Sequence, residues 1–136
     1  MTRERWRLGL RLVLAAAFLF AGYKHVTDVG TFLPIMPGWV PVPRLTVLVT
    51  GWCEVAGAVA LLVPRLRRLA GVMLALYTVC VFPANIGHAL FHPTYGVGAA
   101  GWWYHGPRLA FQPVIVWWCL FAGSVIDWPF RWTSKR

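Results

Sequence analysis

Charge is scarce in this chain, and acid is scarcer still. Only 12% of its 136 residues are Asp, Glu, Lys or Arg, and just four of them are acidic. A soluble domain of this length needs far more polar surface, so that class is excluded. Cysteine is scarce too. Cys53, Cys80 and Cys119 form no CxxC pair, which argues against a membrane thiol oxidoreductase of the disulfide-forming kind. There is no internal repeat and no low-complexity linker, so 1–136 reads as a single domain. Without a repeat, four helices leave a transporter little room for alternating access.

What the chain has is apolar length. Hydrophobic residues make up 59% of it, concentrated in long runs. A transmembrane helix needs about 20 apolar residues, and four segments qualify: 8–26, 44–63, 69–90 and 107–127. The expected fold is all-α, an integral membrane four-helix transmembrane bundle. Arg3, Arg5 and Arg7 before the first run, with small residues at Ala15–Ala17, have the form of a signal peptide. The run is long, however, and the rest of the chain is as apolar, so it reads as a first span. Several of the nine Trp lie near the ends of the runs, as in an interfacial aromatic belt.

Topology follows from the basic residues. Arg3, Arg5, Arg7, Arg11, Arg65, Arg67, Arg68, Arg131, Lys135 and Arg136 share one side of four spans, leaving Lys24, Arg44 and Arg108 on the other. Both termini are therefore expected in the cytoplasm. The net charge of +9 does not call for nucleic acid, because these residues flank spans rather than line one polar face. Membrane lipid, especially anionic phospholipid, is the simpler partner.

Two connections face outward in this scheme. Residues 30–43 hold four prolines and almost no charge. That proline density blocks a regular helix, and the apolar content argues against a freely solvated loop. The segment is expected to lie in the outer interface and cover the bundle mouth, with Pro43 in the first turn of span two. The second outer connection, 92–101, reads as flexible, with Trp102, Trp103 and Tyr104 anchoring at the interface. Pro83 should kink span three and free the carbonyl of Val79 for another partner.

The polar side chains inside the spans are the candidates for function. At ~1.5 Å per residue, Glu54 lies about 15 Å below the outer surface, and Asn85 and Gln112 lie about 7 Å below it. Arg108 sits near the rim, spaced i,i+4 from Gln112, and His88 lies one turn above Asn85. His25 ends span one. All of these groups occupy the outer half of the bundle. The three cysteines share a depth of about 13–18 Å, where small packing residues are the expected role. A charge at the membrane centre costs about 2.5–3.5 kcal/mol on insertion scales. Glu54 can avoid this by staying protonated or by pairing with Arg108. A substrate or proton site and a structural pair fixing helix register are both open readings. His88 and His92 are spaced to form a metal pair, with His25 as a third ligand or a haem contact. No acid except Asp28 is placed to complete such a site, so interfacial hydrogen bonding is the expected role and no metal is assigned. Asp127, beside Trp128, Phe130 and Arg131, reads as part of an interfacial anchor.

Several stretches together resemble the DoxX family of small bacterial membrane proteins. They are Ala21-Gly22-Tyr23-Lys24-His25, the Pro-rich 35–41, Gly51-Trp52-Cys53-Glu54, Leu61-Leu62-Val63-Pro64-Arg65, Phe82-Pro83-Ala84-Asn85 and Arg108-Leu109-Ala110-Phe111-Gln112. Ala110 departs from the family's frequent proline. The resemblance implies a four-helix protein of the bacterial inner (plasma) membrane and a link to quinone-coupled redox chemistry.

Two functions are expected from this. In the first, the protein binds a quinone: Arg108, Gln112 and Asn85 donate to its carbonyls, Glu54 carries a proton, and His25 and His88 complete the polar site. No flavin motif or obvious haem site is present, so a partner oxidoreductase subunit would supply the electrons. In the second, the protein is a non-enzymatic assembly partner or lipid binder. The apolar loop then serves as a docking surface, and Ala56 and Ala60 allow close packing within the bundle or between copies in a homo-oligomer.

Overall fold

The computed structural model describes residues 3–91 and 101–129. Among these the chain is all-helical, with no strand. The elements are α1 (Arg3–Thr27), α2 (Val29–Phe32), a 3-10 turn (Leu33–Ile35), α3 (Pro43–Leu62), α4 (Arg67–Phe91) and α5 (Trp102–Ala122). Three helices are long and apolar enough to cross a membrane: Arg3–Thr27, Pro43–Leu62 and Arg67–Leu90. The fourth long helix, α5, is not among these three, and His105, Arg108 and Gln112 lie within it.

The boundaries shift where caps override hydropathy. α1 starts at Arg3 rather than residue 8, which puts Arg7 and Arg11 inside the helix. α5 runs five residues earlier than expected at both ends. It starts after Gly101, at φ +60°, and it ends at Gly123, whose N–H returns to the Cys119 carbonyl, with Ser124 next at positive φ. Pro43 stands in the first turn of α3, where its missing N–H costs nothing. The Pro-rich connection opens with the single turn of α2 and the 3-10 turn, then stays irregular up to α3.

α1 packs along α3 and α4 along α5, with further contacts between α3 and α4 and between α1 and α5. Glycines set the two closest approaches. A Cβ on Gly22 would lie 2.6 Å from the Gly51 carbonyl oxygen, and one on Gly123 would lie 2.7 Å from the Gly71 Cα. Ala56 and Ala60, the small residues singled out from sequence, line a groove between α3 and α4, and Ala60 also packs against the core. Leu14, Phe18, Leu61, Leu74 and Cys119 form the core nearer the α1 start. The outward faces are apolar and open: Leu12, Phe20, Val49, Trp52, Leu69 and Val79 are all more than half exposed. Such faces call for an apolar surround.

The three cysteines do not cluster. Cys119 is buried in the core, while Cys53 and Cys80 are exposed.

Candidate functional site

The polar side chains singled out within the apolar runs fall into two hydrogen-bonded networks. In the first, Glu54 on α3 is only 4% exposed and has a partner for each carboxylate oxygen. His25 Nδ1 on α1 faces Oε2 at 2.6 Å, and the Tyr77 hydroxyl on α4 donates to Oε1 at 2.8 Å. The Gly22–Gly51 contact holds α1 and α3 close enough for the imidazole to reach. Engaged through Nδ1, His25 keeps Nε2 for another partner.

The second network joins α4 to α5. Arg108 donates to Asn85 Oδ1 at 2.6 Å and lies 3.1 Å from His88 Nδ1. Arginine has no acceptor, so His88 accepts at Nδ1 and carries its proton on Nε2. Asn85 Nδ2 donates to Gln112 Oε1 at 3.3 Å, and Gln112 Nε2 donates to the Thr78 carbonyl at 2.8 Å. α4 runs unbroken past Pro83. Gln112 therefore meets the backbone one residue before Val79, the carbonyl that Pro83 leaves without its helical donor.

The Glu54–Arg108 pair, one of the two ways open to Glu54, is not formed. The expected depths, about 15 Å for Glu54 and near the rim for Arg108, already separate the two groups, and azimuth separates them further. α3 turns Glu54 toward α1 and α4, and its main packing partners do not include α5. The histidine metal pair also does not form within the described residues: His92 lies outside them, and His25 and His88 belong to separate networks. No three His, Cys, Asp or Glu side chains among the described residues converge on a metal-sized site.

A cavity of about 330 Å³ lies under the Pro-rich connection. Phe32, Met36, Trp39 and Val40 contribute to its roof side, and His25, Tyr77, Asn85 and Arg108 reach it from three helices. Most of the remaining lining is apolar. Phe32 meets the His25 ring edge-on, with centroids 4.1 Å apart. The chamber thus combines a largely apolar interior with His25, Tyr77, Asn85, Arg108 and the hydroxyls of Thr46 and Thr50, the usual composition of a small-molecule site.

Sequence reasoning missed Tyr77, Thr78 and His105. Tyr77, Val81, Asn85 and His88 fall on one helical stripe, a spacing that could have drawn Tyr77 in. His105 is 2% exposed and packs against His88 at 4.9 Å, with neither ring nitrogen hydrogen-bonded.

At the opposite end Arg7 and Arg11, read from sequence as topology-setting charges, are both buried. Arg11 Nε donates to the Ala122 carbonyl at 2.8 Å and its guanidinium reaches Ser124 at 3.2 Å, capping the end of α5. Arg7 pairs with Asp127 and with Glu4, donates to the Ile126 carbonyl, and lies over the Phe121 ring. Asp127 is thus an ion-pair partner of Arg7 and Arg3. Hydrogen bonding to Arg7, and then the charges of Arg3 and Arg7, hold its carboxyl below the ordinary carboxylate range. Of the other basic residues, Arg131, Lys135 and Arg136 lie outside the described residues.

A family model described as "Domain of unknown function (DUF8561)" matches residues 14–122, and the chain belongs to that family. This overturns the resemblance to the DoxX family, because the model that matches is a different one. The stretches that carried the resemblance are short, and each holds Gly, Ala, Trp or Pro. Those residues recur at helix contacts, interfaces and ends in membrane proteins generally. No curated protein and no solved structure matches the chain.

Proposed function

We propose that the protein is a multi-pass protein of the bacterial inner membrane whose chamber binds the headgroup of a quinone or a similar amphiphile. In this reading all four long helices span as a bundle and both termini face the cytoplasm. α5 has 21 residues, about 31 Å of helix, enough to cross. Two of the polar residues that lower its hydropathy, His105 and Gln112, are buried rather than lipid-facing. The basic residues near the start of α1 and between α3 and α4 favour the cytoplasmic side.

The observation that carries the ligand reading is the convergence of His25, Tyr77, Asn85 and Arg108 on a largely apolar chamber. Arg108 and Asn85 donate to a carbonyl oxygen of the headgroup. His25, held at Nδ1 by Glu54, offers Nε2 to a second oxygen and is the group that can hold or pass a proton there. Gln112 and His88 hold Asn85 and Arg108 in place. The chain binds the ligand, and electrons come from a partner subunit.

A tailless ubiquinone titrated into purified protein in nanodiscs tests this, read by tryptophan fluorescence. Saturable quenching is expected. Arg108→Ala should weaken binding by about 1.5–3 kcal/mol, the usual worth of a hydrogen bond to a charged group. Absence of saturable binding by the wild type would refute the reading.

A second reading is a non-enzymatic assembly role, with a partner protein or a second copy seated on the roof. Trp39 at 74% exposure, near the exposed Val42, favours it. A stoichiometric partner lost on Trp39→Ser, but kept on Arg108→Ala, would support this reading instead.

A further inference from the structure

A second cavity backs onto the same polar side chains. It is a groove of about 390 Å³ between α1, α4 and α5, and Tyr77, Val81, Asn85 and Arg108 line both it and the chamber. Glu54 and Gln112 also reach it. Away from this polar end the groove is apolar. Ala17 and Ala21 form part of its α1 wall, spaced i,i+4 on one face, and their small side chains leave the space open. Phe111, Ile115 and Trp118 continue it along α5. From Arg108 to Trp118 is ten residues, about 15 Å of helix. At the far end the Trp118 indole donates to the Leu10 carbonyl at 3.0 Å and ties α5 to α1.

We propose that this groove holds the hydrocarbon tail of the ligand whose headgroup occupies the chamber. The inference rests on the ligand reading above and adds where the rest of the molecule lies. An amphiphile bonded to Arg108 and Asn85 has its tail attachment at the top of the groove, because those side chains form the common wall. From there an apolar path leads along α1 and α5 toward the bundle centre. That is the direction a tail takes when the headgroup sits at the outer surface. The α3–α4 groove is larger, about 520 Å³, but it meets the chamber only at Tyr77 and Cys80 and has no charged or amide side chain on its wall. A headgroup held by Arg108 therefore directs its tail away from it.

The test compares a tailless ubiquinone with one bearing a long isoprenoid tail, in nanodiscs, on wild type, Ala17→Trp and Ile115→Trp. The indoles fill the groove from opposite walls. Tailless affinity should stay within about twofold, which also reports folding, while tailed affinity falls at least about tenfold as several methylenes lose their burial. Equal effects on both quinones, or none on either, would overturn the inference. Should both variants fail to fold, a diazirine at the tail end of the long quinone gives the answer on wild type. Labels on residues 14–21 of α1 and 111–118 of α5 are expected. Labels on Ala56 or Met73 of the α3–α4 groove would refute it. If wild type binds neither quinone, the headgroup reading itself has failed and the tail site falls with it.

Discussion

The two ends of the molecule bury polar side chains for different purposes. At the α1 start, Arg7 and Arg11 bond to the Ile126 and Ala122 carbonyls, to Ser124, and to Glu4 and Asp127. The two closest helices there, α4 and α5, meet backbone to backbone at Gly71 and Gly123. At the α1 end, His25, Glu54, Tyr77, Asn85, Arg108 and Gln112 bond mainly to one another, and four of them face a chamber. A buried guanidinium used on backbone carbonyls holds a fold together. Hydrogen-bonding side chains beside open space are available to a ligand. Burial alone does not separate the two roles, but what each group bonds to does.

Substitutions at the two ends should therefore separate stability from binding. The largest effect is expected at Gly71→Val. Its Cβ would sit 2.8 Å from both the Cys119 carbonyl oxygen and the Gly123 Cα, with backbone on each side and no flexible side chain to yield. The loss should reach or pass ~3 kcal/mol, the upper end of ordinary overpacking, read by thermal unfolding in detergent. Next comes Arg11→Met, which uncaps α5 and should cost about 1.5–3 kcal/mol while leaving tailless-quinone affinity unchanged. Arg108→Ala is its mirror: affinity falls about tenfold or more while stability drops by only ~1 kcal/mol. If Arg11→Met weakened binding as much as Arg108→Ala, the division between the ends would not hold.

A smaller effect is expected from Glu54→Gln. The amide keeps an acceptor for Tyr77, so stability should change by no more than ~1 kcal/mol, while binding weakens because His25 Nδ1 loses the carboxyl group that orients it. The smallest effect is the pH dependence of Asp127. Its carboxyl is held low by the Arg7 hydrogen bond and then by the Arg3 and Arg7 charges. Its contribution is complete above the ordinary carboxylate pKa and is lost as pH falls through the lowered value. Unfolding curves between about pH 5 and 2 should show that slope, shallower in Asp127→Asn.

The helical class and the apolar faces were legible because run length and hydropathy act along one dimension. The six polar candidates were legible as outliers in apolar runs, and the structure brings all six into two networks. Their partners were not legible. Pairing Glu54 with Arg108 needs the rotation of α3 about its axis, and depth carries no such information. The burial of Arg7 and Arg11 was not legible for a related reason. A basic residue near a span end fits a topology rule whether it faces lipid headgroups or a neighbouring helix terminus. Their i,i+4 spacing inside α1 was the available signal. Likewise Gly22, Gly51, Gly71 and Gly123 look ordinary in sequence, and only the paired backbones show why no side chain fits there.

The most direct test of the ligand site is native mass spectrometry, with lipid extraction, on protein purified gently from its own membranes. The Glu54→Gln, Arg108→Ala double variant is run beside it. The account predicts a quinone or similar amphiphile retained by the wild type and lost from the folded variant. No small molecule retained by the wild type, or the same molecule retained equally by both, would contradict it.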